Sequence, residues 1–230
     1  MSHRGPVPAR IATLPETAGL CTAMNDLPLT LLAATISAYW LGVGAMVIRL
    51  RYRTHRLVGI VPEERSERFM WLVWTPLLVA WIALPWLAQS HDDAPLGIPA
   101  FALQSPYPLL RGIAAATALA CLALTIKCWV RMGRNWRMDT SLTRPAEIIT
   151  DGLYAKIRHP IYAFSMLLML CSAVIVPTVP MGVVAIFHLV LMNLKARNEE
   201  RHLLATGGEE YARYLRRTGR FLPRPGAPGA

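Results

Sequence analysis

Charged residues are scarce in this sequence. Only 17% of its 230 residues are Asp, Glu, Lys or Arg, against about 25% in an ordinary soluble domain. Hydrophobic residues make up 54% of the chain, which excludes a disordered protein. The four cysteines are an ordinary number for this length, which excludes a small protein built on disulfides. The apolar residues therefore form either one soluble core or several membrane spans.

Several familiar motifs are also missing. The sequence has no Gly-rich phosphate loop, and Gly42-Val-Gly44 lies inside an apolar run with no strand before it. Close helix packing explains these two glycines better than nucleotide binding. A soluble, doubly wound methyltransferase or dehydrogenase domain is therefore excluded. No pair of cysteines has metal-ligand spacing, so we expect small buried hydrophobes and no bound metal.

Long uncharged runs are what the sequence has instead. Leu27–Leu50 carries no charge before Arg49, and Phe69–Gln89 carries none at all. Leu109–Met132 has charges only near its ends. A membrane-spanning helix needs about 20 mostly apolar residues, so these runs predict three spans. The tryptophans of the second run are predicted to be packing residues and interface anchors.

A fourth run, Ile161–Leu194, contains no Asp, Glu, Lys or Arg. Pro177 and Pro180 interrupt it around a short apolar loop, which predicts the tip of a helical hairpin. Its arms are short, but the second is extended by the polar helix that follows. The sequence thus predicts an all-α integral membrane protein of about five transmembrane helices with a C-terminal helical hairpin. A partly immersed hairpin is the alternative for the last two.

The basic residues predict the orientation of the chain in the membrane. Most of the 24 lie between the first and second runs, between the third and fourth, and after Leu194, whereas Ser90–Pro108 has none. Basic loops stay in the cytoplasm, so we expect the N-terminus outside and the C-terminus inside. Anionic lipid headgroups explain the net charge of +10, and no nucleic-acid partner is expected. Arg greatly outnumbers Lys, which hints at a GC-rich bacterial genome and hence a bacterial inner membrane.

Arg158 and His159 form the first candidate for chemistry. They precede Pro160, which suits the first turn of a helix at the membrane boundary, and Asp151-Gly152 predicts a turn leading into this segment. A helix N-terminus beside a guanidinium is a site for a carboxylate or phosphate. The alternative is a snorkelling Arg and an interfacial His-Pro helix cap.

Glu199 and Glu200 form the second candidate. They follow the last apolar run, on the far side of the hairpin from Arg158. Because the hairpin returns the chain to the same membrane face, the two polar regions are expected to meet. A guanidinium and a carboxylate together bind a zwitterion, with its carboxylate on one and its ammonium on the other. The alternative is a solvated helix face with one or two surface ion pairs.

These segments occur in an order that resembles a known family. Gly133-Arg-Asn-Trp136, Ile149-Thr-Asp-Gly-Leu-Tyr154, Arg158-His-Pro-Ile-Tyr162, Glu199-Glu-Arg-His-Leu203, Gly208-Glu-Glu-Tyr211 and Arg220-Phe-Leu-Pro223 follow one another along the chain. This pattern, over about residues 109–223, is similar to the isoprenylcysteine carboxyl methyltransferases and related phospholipid methyltransferases. The resemblance implies an integral membrane enzyme that uses S-adenosylmethionine in a cytoplasmic cofactor pocket. It also implies a lipophilic substrate, or a lipid, that enters from the bilayer.

The resemblance implies a role for each matching residue. Arg158 and Glu200 are the expected catalytic residues. Cofactor binding is expected of Gly152, Tyr154, Arg158, His159, Pro160, Tyr162, Glu199 and Glu200, with Arg158 and His159 on the cofactor carboxylate and one of the two glutamates on its ammonium. Asn135, Trp136 and Phe164 are expected to contact the substrate. Phe164 stands where the family usually has Gly, which changes the pocket or the substrate entrance.

The expected division of the chain follows. Residues 1–26 are a flexible tail, 27–108 two N-terminal transmembrane helices, 109–223 the methyltransferase-like catalytic region and 224–230 a disordered tail. Two alternatives are a membrane reductase of the sterol-reductase type that uses NADPH, and a non-enzymatic transport subunit. The latter would place its polar residues along a path at mid-bilayer, whereas here they gather at one face. The methyl acceptor stays open as a carboxylate, a thiol or a lipid amine.

Overall fold

A computed structural model describes residues 26–54, 65–133 and 148–225. This part of the chain forms α-helices and short 3-10 helices, and it contains no β-strand. The helices are α1 (Leu27–Thr54), α2 (Arg65–Ser90), α3 (Tyr107–Met132), α4 (Pro160–Ile175) and α5 (Val179–Arg217), with 3-10 helices at Ala100–Leu103 and Gly152–Ala155.

The helices have the lengths and composition of membrane spans. Four of the described helices are long and apolar enough to cross a bilayer, and α4 is a shorter apolar helix of 16 residues. At 1.5 Å per residue α4 is about 24 Å long, a little less than the hydrocarbon core. Leu41, Val79, Val130 and Ile186 are more than half exposed, as expected of side chains that face lipid. The predicted all-α integral membrane fold is confirmed.

The hairpin forms at the predicted place. Helix α4 ends at Ile175 and α5 begins at Val179. The side chain of Thr178 caps α5 by accepting a hydrogen bond from the backbone N–H of Met181 at 3.4 Å. Helix α5 runs for 39 residues, with a kink at Gly208, where φ is 52°. Its polar half therefore extends the short apolar arm, as the sequence predicted.

An ion pair between Asp26 and Arg111 joins the start of α1 to the start of α3, near the end of α4. Asp26 accepts a hydrogen bond from the backbone N–H of Leu29, and its other oxygen lies 2.6 Å from Nη2 of Arg111. Nε of Arg111 donates to the carbonyl oxygen of Ile175 at 3.0 Å. Asp26 is thus an anchored helix cap rather than the last residue of a flexible tail; residues 1–25 of the expected tail lie outside the described residues.

The packing order places α4 inside the bundle. Helix α3 packs against both α1 and α4, and α5 packs against α4 and α2. Trp81 of α2 donates from Nε1 to Oγ of Ser172 on α4 at 2.9 Å. His188 of α5 lies 3.0 Å from Oγ of Ser165 on α4. These polar contacts fix the rotation of α4 and so direct its first residues toward the end of α3 and the polar half of α5.

Candidate functional site

The C-terminal segment fixes the backbone around Arg158 and His159. After α5 the chain turns back, and Ile157 and Gly219 form a parallel β-bridge. The backbone N–H of Arg158 donates to the carbonyl oxygen of Gly219 at 2.9 Å, and that of His159 to Arg220 at 3.1 Å. Both N–H groups are therefore used within the protein. An anion at this site would therefore be bound by side chains. The expected anion site just before α4 thus lacks the two backbone N–H groups of Arg158 and His159.

Glu200 is the centre of a buried ionic cluster. Its Oε1 accepts a hydrogen bond from Nε of Arg158 at 2.9 Å, and both its oxygens lie 3.1 Å from Nε of Arg220. Nε2 of His159 lies 3.3 Å from Oε1 of Glu200, whose side chain is only 7% exposed. The hydrogen bonds to Glu200 raise the pKa of the Arg220 guanidinium. Glu200 is thus saturated by groups of the protein itself.

Arg158 is held in place by more than its ion pair. Its Nη1 donates to the carbonyl oxygens of Leu215 and Thr218 at the end of α5. Oγ1 of Thr218 in turn donates to the carbonyl oxygen of Tyr214 at 2.6 Å. The Nη2 group of Arg158 takes part in none of these contacts, and Arg158 lines a cavity. The guanidinium is therefore fixed in direction with one face left for a ligand.

The cavity beside this cluster has a volume of about 130 Å³ and a lining of two kinds. Its polar and charged part, called the polar end below, consists of Tyr154, Arg158, His159, Pro160, Tyr162, Lys195 and Glu199. Its apolar part, called the aromatic end below, consists of Tyr39, Trp40, Val43, Trp74, Trp129 and Met132, and Ile161, Ser165 and Met192 complete the lining. Such a cavity suits a ligand with a charged group next to an apolar one.

Three polar atoms at the polar end have no hydrogen-bond partner within the described part of the chain. They are Oε2 of Glu199, Nε2 of His159 and the hydroxyl of Tyr154. The two nitrogens of His159 still lie close to carboxylates, with Nδ1 3.6 Å from Oε2 of Glu199 and Nε2 3.3 Å from Oε1 of Glu200. The ring of His159 stacks on Tyr162, with centroids 5.4 Å apart and planes 2° apart. Burial raises the pKa of Tyr154, which keeps its hydroxyl a neutral hydrogen-bond donor. Buried polar groups are normally paired, so these atoms are candidate contacts for a polar ligand.

The structure places the predicted site residues in different positions. Tyr154, Arg158, His159, Pro160, Tyr162 and Glu199 line the cavity, whereas Glu200 lies behind them and Gly152 is exposed on the adjacent 3-10 helix. Phe164 is half-buried and packs against the hydrophobic core of the bundle. Asn135 and Trp136 lie outside the described residues. Their expected contacts with cofactor or substrate stay predictions.

Sequence reasoning missed two parts of the site. Arg220 was noticed only as part of a C-terminal motif, although its position after the last helix was a signal that it returns to the Arg158 region. The aromatic end was missed because the first two spans look generic. Trp74, expected to be a packing residue, lines the cavity together with Trp40. Nothing in the spacing of these tryptophans separates a lining residue from a lipid-facing one.

Comparisons with known proteins address the central region of the chain. Residues 114–205 match the model of the isoprenylcysteine carboxyl methyltransferase family. The chain is also similar to the nickel-cobalt-cadmium resistance protein NccN of Alcaligenes xylosoxydans xylosoxydans, with 28% identity over 94 residues, or 40% of this chain and 44% of that protein. The chain therefore spans less than half the length of this curated relative. The predicted family resemblance is confirmed over residues 114–205.

Proposed function

We propose that this chain, whose residues 114–205 belong to the isoprenylcysteine carboxyl methyltransferase family, is a membrane enzyme that transfers a methyl group from S-adenosylmethionine to a lipophilic acceptor. The observation that carries the proposal is the group of buried polar atoms on Glu199, His159 and Tyr154 that make no hydrogen bond among the described residues, beside the fixed guanidinium of Arg158. A zwitterionic amino-acid group has an ammonium that can pair with Glu199 and a carboxylate that can pair with Arg158.

The donor set fits the amino-acid part of the cofactor. Oε2 of Glu199 accepts from an ammonium group, and Nη2 of Arg158 donates to a carboxylate. His159 lies beside the same carboxylate and is held there by its stack on Tyr162 and by the approach of its Nε2 to Oε1 of Glu200 at 3.3 Å. Glu200 lies behind Arg158 as seen from the cavity. It is paired with Arg220 and fixes the guanidinium of Arg158. This assignment gives the cofactor ammonium to Glu199, whereas the sequence left the choice between Glu199 and Glu200 open.

The bound cofactor supplies an electrophilic methyl group on a sulfonium. The residues of the chain supply position and a dry environment. The aromatic end of the cavity excludes water around the acceptor, and removing water raises the reactivity of an anionic nucleophile. Holding both partners in one cavity makes the transfer effectively unimolecular. A carboxylate or thiolate acceptor needs no base, whereas an amine acceptor would need His159 or a glutamate to take its proton.

We place the active site at the cytoplasmic face of a bacterial inner membrane. The support is the distribution of basic residues, which surround the ends of α1, α3 and α5 and the start of α2 and α4. The N-terminus then lies outside and the C-terminus inside. A cofactor made in the cytoplasm reaches the polar end directly, and a lipophilic acceptor reaches the aromatic end from the bilayer.

Ligand binding tests the proposal against the reductase alternative. Calorimetry on the full chain in detergent, with S-adenosylhomocysteine and NADPH in parallel, measures both affinities. We expect saturable binding of S-adenosylhomocysteine and none of NADPH. Binding of NADPH alone would make the chain a reductase, and binding of neither ligand would remove the enzyme assignment. Incubating membranes with methyl-labelled S-adenosylmethionine then identifies the acceptor from the labelled product.

A further inference from the structure

The aromatic end of the cavity contains a hydrogen-bond donor without a partner. Nε1 of Trp40 is buried and has no hydrogen-bond partner among the described residues. Trp40 belongs to α1 and therefore lies outside the region that matches the family. An indole nitrogen donates only, and a buried indole N–H normally finds an acceptor. Its environment inside the membrane contains no bulk water to supply one.

The indole of Trp40 is held rigidly in the wall of the cavity. The Trp40 ring packs edge-on against Trp74 at 5.3 Å and against Trp81 at 6.0 Å between centroids. It also packs against Tyr39 at 5.2 Å. Three rings on two helices thus fix its orientation, so that Nε1 cannot turn toward a protein acceptor without breaking these contacts. Trp40, Trp74 and Tyr39 all line the cavity.

The unpaired indole N–H favours an oxygen ligand over a cationic one. Arg158 and Glu199 line the same cavity, but the proposed function assigns both to the cofactor. An aromatic wall also attracts alkylammonium groups through its ring faces, but such a ligand leaves the indole N–H unpaired. An oxygen atom satisfies the N–H and keeps its apolar tail against the rings.

We propose that Trp40 determines substrate specificity by donating a hydrogen bond from Nε1 to an oxygen atom on the polar end of the lipophilic acceptor. This inference rests on the proposed function, because it takes the aromatic end of the cavity as the acceptor site. It selects acceptors whose polar end presents a carboxylate or carbonyl oxygen and disfavours those that present only an ammonium group.

The test observes the indole N–H directly. The full chain carries seven tryptophans, and 15N labelling of the indoles in lipid nanodiscs gives each one an NMR signal, with Trp40→Phe identifying that of Trp40. The sample is saturated with S-adenosylhomocysteine and titrated with dodecanoate or with dodecyltrimethylammonium. Dodecanoate should move the Trp40 N–H proton downfield in a saturable manner, and dodecyltrimethylammonium should leave it in place. In Trp40→Phe the affinity for dodecanoate should fall about tenfold or more.

The matched control is Trp86, which is 48% exposed on α2 and does not line the cavity. Its signal should not respond saturably to either probe, and Trp86→Phe should bind dodecanoate like the original chain. A Trp40 signal that ignores dodecanoate, or that moves equally with both probes, overturns the inference. Calorimetry with S-adenosylhomocysteine separates the two levels: loss of that binding refutes the proposed function, whereas intact binding with a silent Trp40 refutes only the role of Trp40.

Discussion

Two adjacent residues, Glu199 and Glu200, have different environments although the sequence presents them as a pair. They are about 100° apart around the helix, so one faces the cavity while the other faces the C-terminal segment. Glu200 is bound by Arg158 and Arg220, and Oε2 of Glu199 has no hydrogen-bond partner in the described chain. A free acceptor at a cavity is suited to a ligand, and a saturated one is suited to structure.

The first prediction concerns Glu199→Gln. This change removes the charge proposed to bind the cofactor ammonium, at the cost of a charge-assisted hydrogen bond of about 1.5–3 kcal/mol. Calorimetry should show affinity for S-adenosylhomocysteine reduced about 10- to 100-fold. Thermal unfolding in detergent should change little, since the contact of this oxygen among the described residues is a long one, 3.6 Å from Nδ1 of His159.

Glu200→Gln is the matched comparison and should behave in the opposite way. Removing one partner of a buried ion pair costs about 3–5 kcal/mol, so the thermal midpoint should fall clearly. Any loss of cofactor affinity should follow from the displaced Arg158. A stable Glu200→Gln variant that does not bind, together with a Glu199→Gln variant that binds normally, would exchange the two roles.

At the scale of helices, the contact of α1 with α3 depends on a close approach. A Cβ added at Gly42 would lie 2.6 Å from Cζ3 of Trp129, a residue that lines the cavity. Gly42→Ala should therefore push Trp129 into the cavity and destabilise the bundle by about 1–3 kcal/mol. Thermal unfolding in detergent measures the effect.

Gly44→Ala is the control on the same helix, because nothing lies within 4 Å of a Cβ added there. Exchanging a glycine for alanine inside a helix normally stabilises it by about 0.5–1 kcal/mol, so its midpoint should rise or stay level. Equal losses in both variants would show that α1 is not held against Trp129.

The helices were predictable because the signals that define them are local. The uncharged runs gave α1, α2 and α3, and Pro177 and Pro180 gave the hairpin between α4 and α5. The meeting of Arg158 with Glu200 followed from topology alone. The third member of the cluster, Arg220, was not predicted, since the hydrogen bond from the backbone N–H of His159 to its carbonyl oxygen joins segments that are far apart in the sequence. The aromatic lining residues were not predicted for the same reason. Which side chains of α1 and α2 face the cavity depends on how each helix is rotated about its axis, and contacts between helices set that rotation.

At the scale of the molecule, the site depends on the return of the C-terminal segment. A Cβ at Gly219 would lie 1.7 Å from the carbonyl oxygen of Leu222, so Gly219→Ala must distort the turn that carries Arg220. Affinity for S-adenosylhomocysteine should fall about tenfold or more, because displaced binding groups lose their geometry. Gly182→Ala in α5, where a Cβ meets nothing within 4 Å, should bind normally; equal binding by both variants would contradict the role of the turn.

The orientation of the whole molecule is also testable. Alkaline phosphatase needs its disulfides and is active only outside the cytoplasm. A C-terminal fusion should therefore be inactive, while a fusion after Asp93, in the segment without basic residues, should be active. The reverse pattern would place the proposed site on the outer face, away from the cytoplasmic supply of cofactor.

The bridge between Ile157 and Gly219 also sets an order of events during synthesis. Arg158 leaves the ribosome well before Thr218 and Arg220. The last helix must therefore already be inserting when Thr218 and Arg220 become available to Arg158 and His159. Until then the guanidinium of Arg158 lacks the carbonyl oxygens of Leu215 and Thr218 that orient it. The ionic cluster around Glu200 therefore forms only after the segment around Gly219 has been synthesised, when the helices before it are already made.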